Sequence, residues 1–191
     1  MHITTKDHFL KDCKKAVELI TFSSVFVYPT DTLYGIGCDA RSAALVNRIR
    51  QAKNVHDAPF SVIAPSKDWI RENLEYMEEF DEWLDKLPGP YTLIMKIKNP
   101  RCVSQETTAN RNTLGVRIPK NWFSDIVEEA GIPIVTTSVN THGSPPITKI
   151  ADIPEIIKKS VDFAIDDGDI KGSPSTLVDL TKSPPEVIKR R

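Results

Sequence analysis

VFVYPTDTLYGIGCD, residues 25–39, is the stretch on which the reading of the fold turns. Val25, Phe26, Val27 and Tyr28 are β-branched or aromatic, the composition of a short buried strand. Pro29 has no N–H to donate and stops the strand's ladder. Thr30, Asp31 and Thr32 follow, then Tyr34, Gly35 and Gly37. Hydroxyls just beyond a strand, with glycines after them, let backbone approach a ligand closely. The same residues also make a tight turn in which Thr and Asp satisfy local backbone groups. Gly-x-Gly is weaker than a full Gly-x-Gly-x-x-Gly fingerprint, so turn and ligand site both stand at this point.

Working outward, Phe9, Cys13, Ala16, Val17 and Ile20 recur at helical spacing and predict an amphipathic helix over 5–21. Downstream, Ser42 is an N-cap for a helix reaching about residue 52, followed by a loop over 53–59 and a strand over 60–64. The pattern predicts a helix over 67–86, a rigid Pro88-Gly89-Pro90 turn, and an alternating strand over 91–98. Residues 99–112 are polar and aperiodic, which predicts a mobile surface loop. Then come a strand over 114–118, a helix over 122–130, a strand over 132–137, a loop over 138–146 and a helix from about 148. Strands over 162–165, 176–180 and 186–189 close the chain. Strict βαβ alternation is absent. The expectation is therefore an α/β (α+β) fold, a twisted mixed sheet with helices packed around it, in one domain over 1–191.

A net charge of −1 gives no bulk sign of a nucleic-acid or membrane partner, although 25 Lys and Arg leave room for a local basic groove. Cys13, Cys38 and Cys102 are odd in number and widely spaced, against a disulfide framework or a zinc site and in favour of a reducing, cytoplasmic compartment. No apolar run approaches the ~20 residues of a membrane helix. There is no P-loop, no Gly-x-Ser-x-Gly elbow, and no metal spacing among His2, His8, His56 and His142.

Four strand ends carry hydroxyl, amide or basic side chains instead. They are Thr30 to Thr32, then Arg117, then Thr136, Thr137, Ser138 and Asn140, and finally Ser173 and Ser175. Each alone has an ordinary structural explanation: a cap, a strand residue or a surface ion pair. Lys53 alone is a helix-end cation favoured by the dipole. Together they describe a site that aligns a phosphorylated ligand by neutral donors and a few cations, as phosphoryl and nucleotidyl transfer require.

Pro-Thr-Asp-Thr-x-Tyr-Gly-x-Gly after a hydrophobic strand resembles the signature of the YrdC-type threonylcarbamoyl-AMP synthases. PFSVIA (59–64), PGPYTLIM (88–95), TLGVRIP (113–119), TTSVNTHGSP (136–145) and PSTLVDL (174–180) resemble further segments of that family in its order. The likeness covers nearly the whole chain and is to the single-domain form. It implies a YrdC-like sheet curved around a positively charged central cavity. It also implies a nucleotidyltransferase reaction in which L-threonine, bicarbonate and ATP give threonylcarbamoyl-AMP and pyrophosphate, assisted by Mg²⁺. A separate tRNA threonylcarbamoyl transferase complex would use that product to modify an adenosine beside the anticodon.

By position, the resemblance assigns Thr32, Arg117 and Ser175 to threonine, with the Arg117 fork suited to a carboxylate. It assigns Lys53 and Arg190 to the nucleotide and Thr113, Ser138 and Asn140 to the nucleotide or its metal, and leaves the metal's ligands unknown. One segment departs from the family. Where members continue Lys-x-Arg-x-x-x-Lys-Pro-Leu-Ser, this chain reads KNVHDAPFS (53–61), one residue shorter, without the arginine and with Ala58 for the second lysine. Arg48, Arg50 and His56 are the candidates to replace those charges. The departure supports an alternative, a non-catalytic RNA-binding or regulatory member. A third reading, the related carbamoyl-adenylate-forming module of hydrogenase-maturation proteins, fits a stand-alone chain less well.

Overall fold

The structure is a computed structural model that describes residues 1–22, 24–77, 80–141 and 143–189. In chain order its elements are β1 (His2–Thr5), α1 (Lys6–Phe9), α2 (Cys13–Thr21), β2 (Phe26–Tyr28), β3 (Gly35–Gly37), α3 (Ala43–Lys53) and β4 (Ser61–Ile63). Then follow α4 (Lys67–Asn73), α5 (Asp81–Leu84), β5 (Tyr91–Lys96), α6 (Gln105–Thr108), β6 (Thr113–Arg117), α7 (Phe123–Ala130) and β7 (Ile134–Ser138). A 3₁₀ turn (Ile150–Asp152), α8 (Glu155–Lys158), β8 (Phe163–Asp166), β9 (Thr176–Asp179) and β10 (Glu186–Ile188) complete it. The strands form one ten-stranded sheet in the order β1-β8-β2-β3-β7-β4-β6-β5-β9-β10. Parallel pairs (β1/β8, β2/β8, β4/β6, β5/β9) are combined with antiparallel ones, so the sheet is mixed, as the sequence led us to expect.

Period-two alternation in β2 sends its side chains to two cores. Phe26 and Tyr28 join Phe123, Ile126, Ile20 and Phe163 under α2 and α7. Val25 and Val27 face the other way, into the larger core beneath α3 with Ile49, Val62 and Val116. The Tyr28 ring stacks on Phe123 at 4.4 Å between centroids.

Several local expectations are corrected. Gly35 and Gly37 are not a turn but the third strand, antiparallel to β2. A Cβ on Gly37 would overlap the Val135 carbonyl, and one on Gly35 would lie 2.9 Å from the Tyr28 ring, so these glycines make room for a tyrosine inside the sheet. The helix expected over 5–21 is broken by Asp12, whose carboxylate accepts from Lys15 N and starts α2 afresh, and β1 precedes it. The helix expected over 67–86 stops at Asn73 because Leu74 bridges to Ile97 and Glu75 N donates to Lys96 O. The helix expected from 148 is reduced to the 3₁₀ turn and the four-residue α8.

The segment 99–112 is a surface loop only in part: Asn99–Arg101 and Asn110–Asn112 are exposed, while Cys102, Val103, Thr107 and Thr108 are buried. It contains α6, Thr107 is fully buried, and the Thr107 hydroxyl donates to Ala40 O at 2.8 Å. Phe60 N donates to Thr107 O, and Ser104 N to Ala40 O, each at 2.9 Å. Threonine hydroxyls that bond backbone explain how so polar a stretch can be interior.

Candidate active site

A cavity of about 740 Å³ opens at the strand ends where the four polar stretches converge. Thr32, Arg117, Ser175, Ser138 and Asn140 all line it, drawn from segments up to 143 residues apart in sequence. Thr113 stands apart: it begins β6, opposite Lys96, while the cavity lies at the Arg117 end of that strand. Arg190 lies outside the described residues.

The loop after β2 is folded by its own hydroxyl. Thr30 Oγ1 accepts from Thr32 N and Leu33 N, both at 3.1 Å, and lies 2.9 Å from Thr32 Oγ1. This local turn is the bland expectation, and it presents Thr32 and Asp31 to Arg117. Arg117 Nη1 donates to Thr32 Oγ1 at 3.2 Å, and Nη2 donates to Asp31 Oδ1. Asp31 is fixed in turn by Lys120 N, 2.9 Å from Oδ2. The Arg117 side chain is 7% exposed, and its Nε–H is buried without an acceptor. Burial lowers the Arg117 pKa from its ordinary value, and the Asp31 charge opposes that shift.

Beside Arg117, Ser175 Oγ and Thr92 Oγ1 are 2.8 Å apart and both are buried. Gly172 closes this side: a Cβ there would overlap the Thr32 carbonyl, so the 172–175 segment can pass over Thr32 only without one. The Tyr34 hydroxyl ties the same wall, donating to Gly168 O at 2.8 Å and accepting from Asp167 N at 3.0 Å. Burial pushes its pKa up to about 12, so it stays protonated.

The other side is built around Lys53 at the end of α3. Its ammonium is buried and donates to Ser138 O, to Asn140 O at 2.9 Å and to Asn140 Oδ1 at 2.9 Å. Ser138 Oγ donates to the same Asn140 Oδ1 at 2.7 Å, and Asn140 Nδ2 donates to Ser144 O at 2.7 Å. Desolvation pulls the Lys53 amine down to about 8.

The candidates to replace the missing charges do not reach the cavity. Arg50 donates to the carbonyls of Glu106, Val55, His56 and Ala58, pinning the short 54–58 loop to α6. Arg48 is held by Ser160 O and Asp162. His56 is exposed and does not line the cavity. Among the described lining residues Arg117 is the one cation, and it is paired with Asp31, so the described lining carries little of the positive charge implied by the resemblance.

Sequence reasoning had not assigned Asp31, Thr92 or Gly172 a role. Asp31 and Thr92 lie inside the quoted segments. Their signal was a polar residue next to a strand end or within an apolar strand, but its meaning depends on pairing between distant strands. Among the described residues no group of three His, Cys, Asp or Glu could hold a metal ion, no disulfide forms, and no helix is long and apolar enough to cross a membrane.

The comparisons with known proteins agree with this arrangement. The Sua5/YciO/YrdC family model, described as telomere recombination, matches residues 18–191. Uncharacterized protein YciO of Escherichia coli is 31% identical over 184 residues, covering 92% of this chain and 86% of its own. Its crystal structure superimposes with a TM-score of 0.82 over 93% of this chain and 88% of that one. The threonylcarbamoyl-AMP synthase of Xanthomonas euvesicatoria is 30% identical, covering 81% of this chain and 85% of its own. The crystal structure of Pyrococcus abyssi Sua5 complexed with L-threonine is 29% identical, with a TM-score of 0.81 over 92% of this chain. This chain spans only 52% of that longer protein.

Proposed function

The chain belongs to the Sua5/YciO/YrdC family, and on that premise we propose that it is an L-threonylcarbamoyladenylate synthase. L-Threonine, bicarbonate and MgATP are its substrates; threonylcarbamoyl-AMP, pyrophosphate and water are its products. The observation that carries this reading is the convergence of Arg117, Thr32, Thr92 and Ser175 on one cavity wall. A guanidinium there would pair with a substrate carboxylate. Thr32 and the Thr92–Ser175 pair surround the same point with hydroxyls suited to an amino acid.

In the reaction the threonine nitrogen bonds to the bicarbonate carbon with loss of water. A carbamate oxygen then bonds to the α-phosphorus as the bond to pyrophosphate breaks. Arg117 holds the carboxylate, and Ser138 with Asn140 aligns the nucleotide, so the chain acts by placement and charge stabilisation. Mg²⁺ would enter as the chelate of ATP. The adenylate would be consumed by a separate transferase acting on tRNA, in the cytoplasm, which suits the free cysteines.

The test is pyrophosphate release from ATP with and without L-threonine and bicarbonate, alongside calorimetric binding of L-threonine. Release requiring both supports the synthase. Threonine binding without release leaves a non-catalytic member, a second reading favoured by the occupied ammonium of Lys53. No threonine binding sinks both.

A further inference from the structure

Resting on that reading, we propose that Arg50 is a positioning residue for the nucleotide, holding the cavity wall at residues 59–61 through the main chain of the shortened loop before it. Arg50 lies in the last turn of α3 and is 8% exposed. A guanidinium has five N–H groups. Nε donates to Glu106 O at 2.9 Å, and Nη1 to His56 O at 3.0 Å and Val55 O at 3.4 Å. Nη2 donates to Ala58 O at 3.0 Å and to Glu106 O at 2.6 Å. Every donor thus goes to a backbone carbonyl, and the fork ties the loop to α6. The guanidinium carbon also lies 4.7 Å from the centre of the Phe60 ring, which belongs to the larger core.

Pro59, Phe60 and Ser61 follow directly on the carbonyls that Arg50 holds, and all three line the cavity. β4 runs antiparallel to β7 with Ser61 opposite Thr136, so the chain before Ser61 runs beside the residues after Thr136, toward Ser138 and Asn140. Phe60 is fixed from α6 as well, its N–H donating to Thr107 O at 2.9 Å. Lys53, at the end of the same helix, donates to Ser138 O and to Asn140. The end of α3 therefore holds both sides of the nucleotide end, one through Arg50 and the other through Lys53. The Arg50 side is the stretch in which the family pattern loses two cations, and the lining residues it supplies are uncharged. An uncharged wall aligns a ligand well only when it is already in place. A slack one must be ordered on binding, which lowers affinity. Arg50 removes that ordering cost without meeting the ligand.

Arg50→Lys keeps the charge but lacks the planar fork that reaches the loop and α6 together. In the full chain it should raise the MgATP KM and calorimetric Kd about 10-fold, as loss of one or two buried hydrogen bonds implies. The threonine KM and Kd should stay within about 2-fold, which also reports a folded chain. A glycine inserted between Asp57 and Ala58 leaves Arg50 in place and slackens the loop. It should weaken MgATP about 3–10-fold and spare threonine, and it decides the matter where Arg50→Lys does not fold. Arg50→Lys with unchanged MgATP constants overturns the assignment. So do MgATP and threonine constants shifted alike, which would make Arg50 a support for the whole fold, and so does an insertion that leaves MgATP binding unchanged. A parent that binds L-threonine but no MgATP sinks the synthase reading and this assignment with it. A parent that binds MgATP while Arg50→Lys binds it equally sinks the assignment alone.

Discussion

Two buried cations flank the cavity, Arg117 in its wall and Lys53 held against the lining residues Ser138 and Asn140, and they differ in what each still has to offer. Arg117 is anchored on Asp31 and Thr32 but keeps one buried N–H without a partner. Lys53 is nearly as buried, yet its ammonium already meets three acceptors, Ser138 O, Asn140 O and Asn140 Oδ1. Arg117 is neutralised by Asp31 and Lys53 meets only neutral oxygens, so the two differ in local charge as well as in unfilled hydrogen-bonding capacity. Arg117 keeps one donor unfilled, whereas Lys53 must give up contacts before it can meet a new acceptor.

Removing the guanidinium should produce the largest effect. Arg117→Ala is expected to cut threonine-dependent pyrophosphate release at least ~100-fold, since a buried charged hydrogen bond and its alignment are lost together. It also strands Asp31, 11% exposed, so urea unfolding should report a loss of about 3–5 kcal/mol, the usual result of breaking a buried pair from one side. Arg117→Lys restores charge without the fork and should recover stability better than activity. Activity within a few-fold of the parent in Arg117→Ala would erase the distinction between the two ends.

Gly172→Ala comes next. The new methyl group overlaps Thr32 O, so the 172–175 wall must lift away from the Arg117 end. We expect threonine affinity to fall about 10-fold with about 1–3 kcal/mol of stability, the range for overpacking, and a smaller change in ATP affinity. Equal losses for both substrates would show that the wall serves the whole cavity.

How much of this was legible beforehand follows from the range of the interactions. Val25–Tyr28, the Ser42 cap and the Pro29 stop are local, and the sequence states them. β3 was hidden because two of its three residues are glycines, which read as a turn until a tyrosine from the neighbouring strand is laid across them. The buried part of the 99–112 segment was hidden because Thr107 bonds the carbonyl of Ala40, some 67 residues away, which no periodicity records. At the site, the hydroxyl-rich strand ends were visible as candidates, but the Asp31–Arg117 pair spans 86 residues and sequence showed only two charges. Likewise Arg50 looked free to serve a phosphate until its carbonyl partners were in view.

The Lys53 end can be sharpened by adding charge. Ala58 is exposed at the foot of the loop that Arg50 pins through the Ala58 carbonyl, so a longer side chain there need not disturb the backbone. Ala58→Lys should lower the ATP KM by about 3–5-fold, the effect of one partly screened charge of about 1 kcal/mol, and the gain should fade as salt is raised. The threonine KM should not move. A gain in threonine affinity instead would mean that the two ends share one field.

The pH dependence tests whether Lys53 is charged where it sits. Its amine is pulled down to about 8 by burial, against about 10.4 in an unfolded chain. Below pH 8 both states hold the proton, and the folded chain bears the full cost of burying the ammonium. Between about 8 and 10.4 the unfolded chain binds a proton that the folded chain has released, so stability from this group rises with pH. The gain is at most about 3 kcal/mol and is read as the difference between parent and Lys53→Met, which cancels the other groups that titrate there. Over the same interval the parent loses a cation at the nucleotide end, so its ATP KM should climb through pH 8 while the threonine KM stays level. A flat difference in stability, with a flat ATP KM, would mean that Ser138 O and the two Asn140 oxygens hold the proton against desolvation. The lysine would then be a permanent cation serving the backbone, and the nucleotide would depend on neutral donors alone.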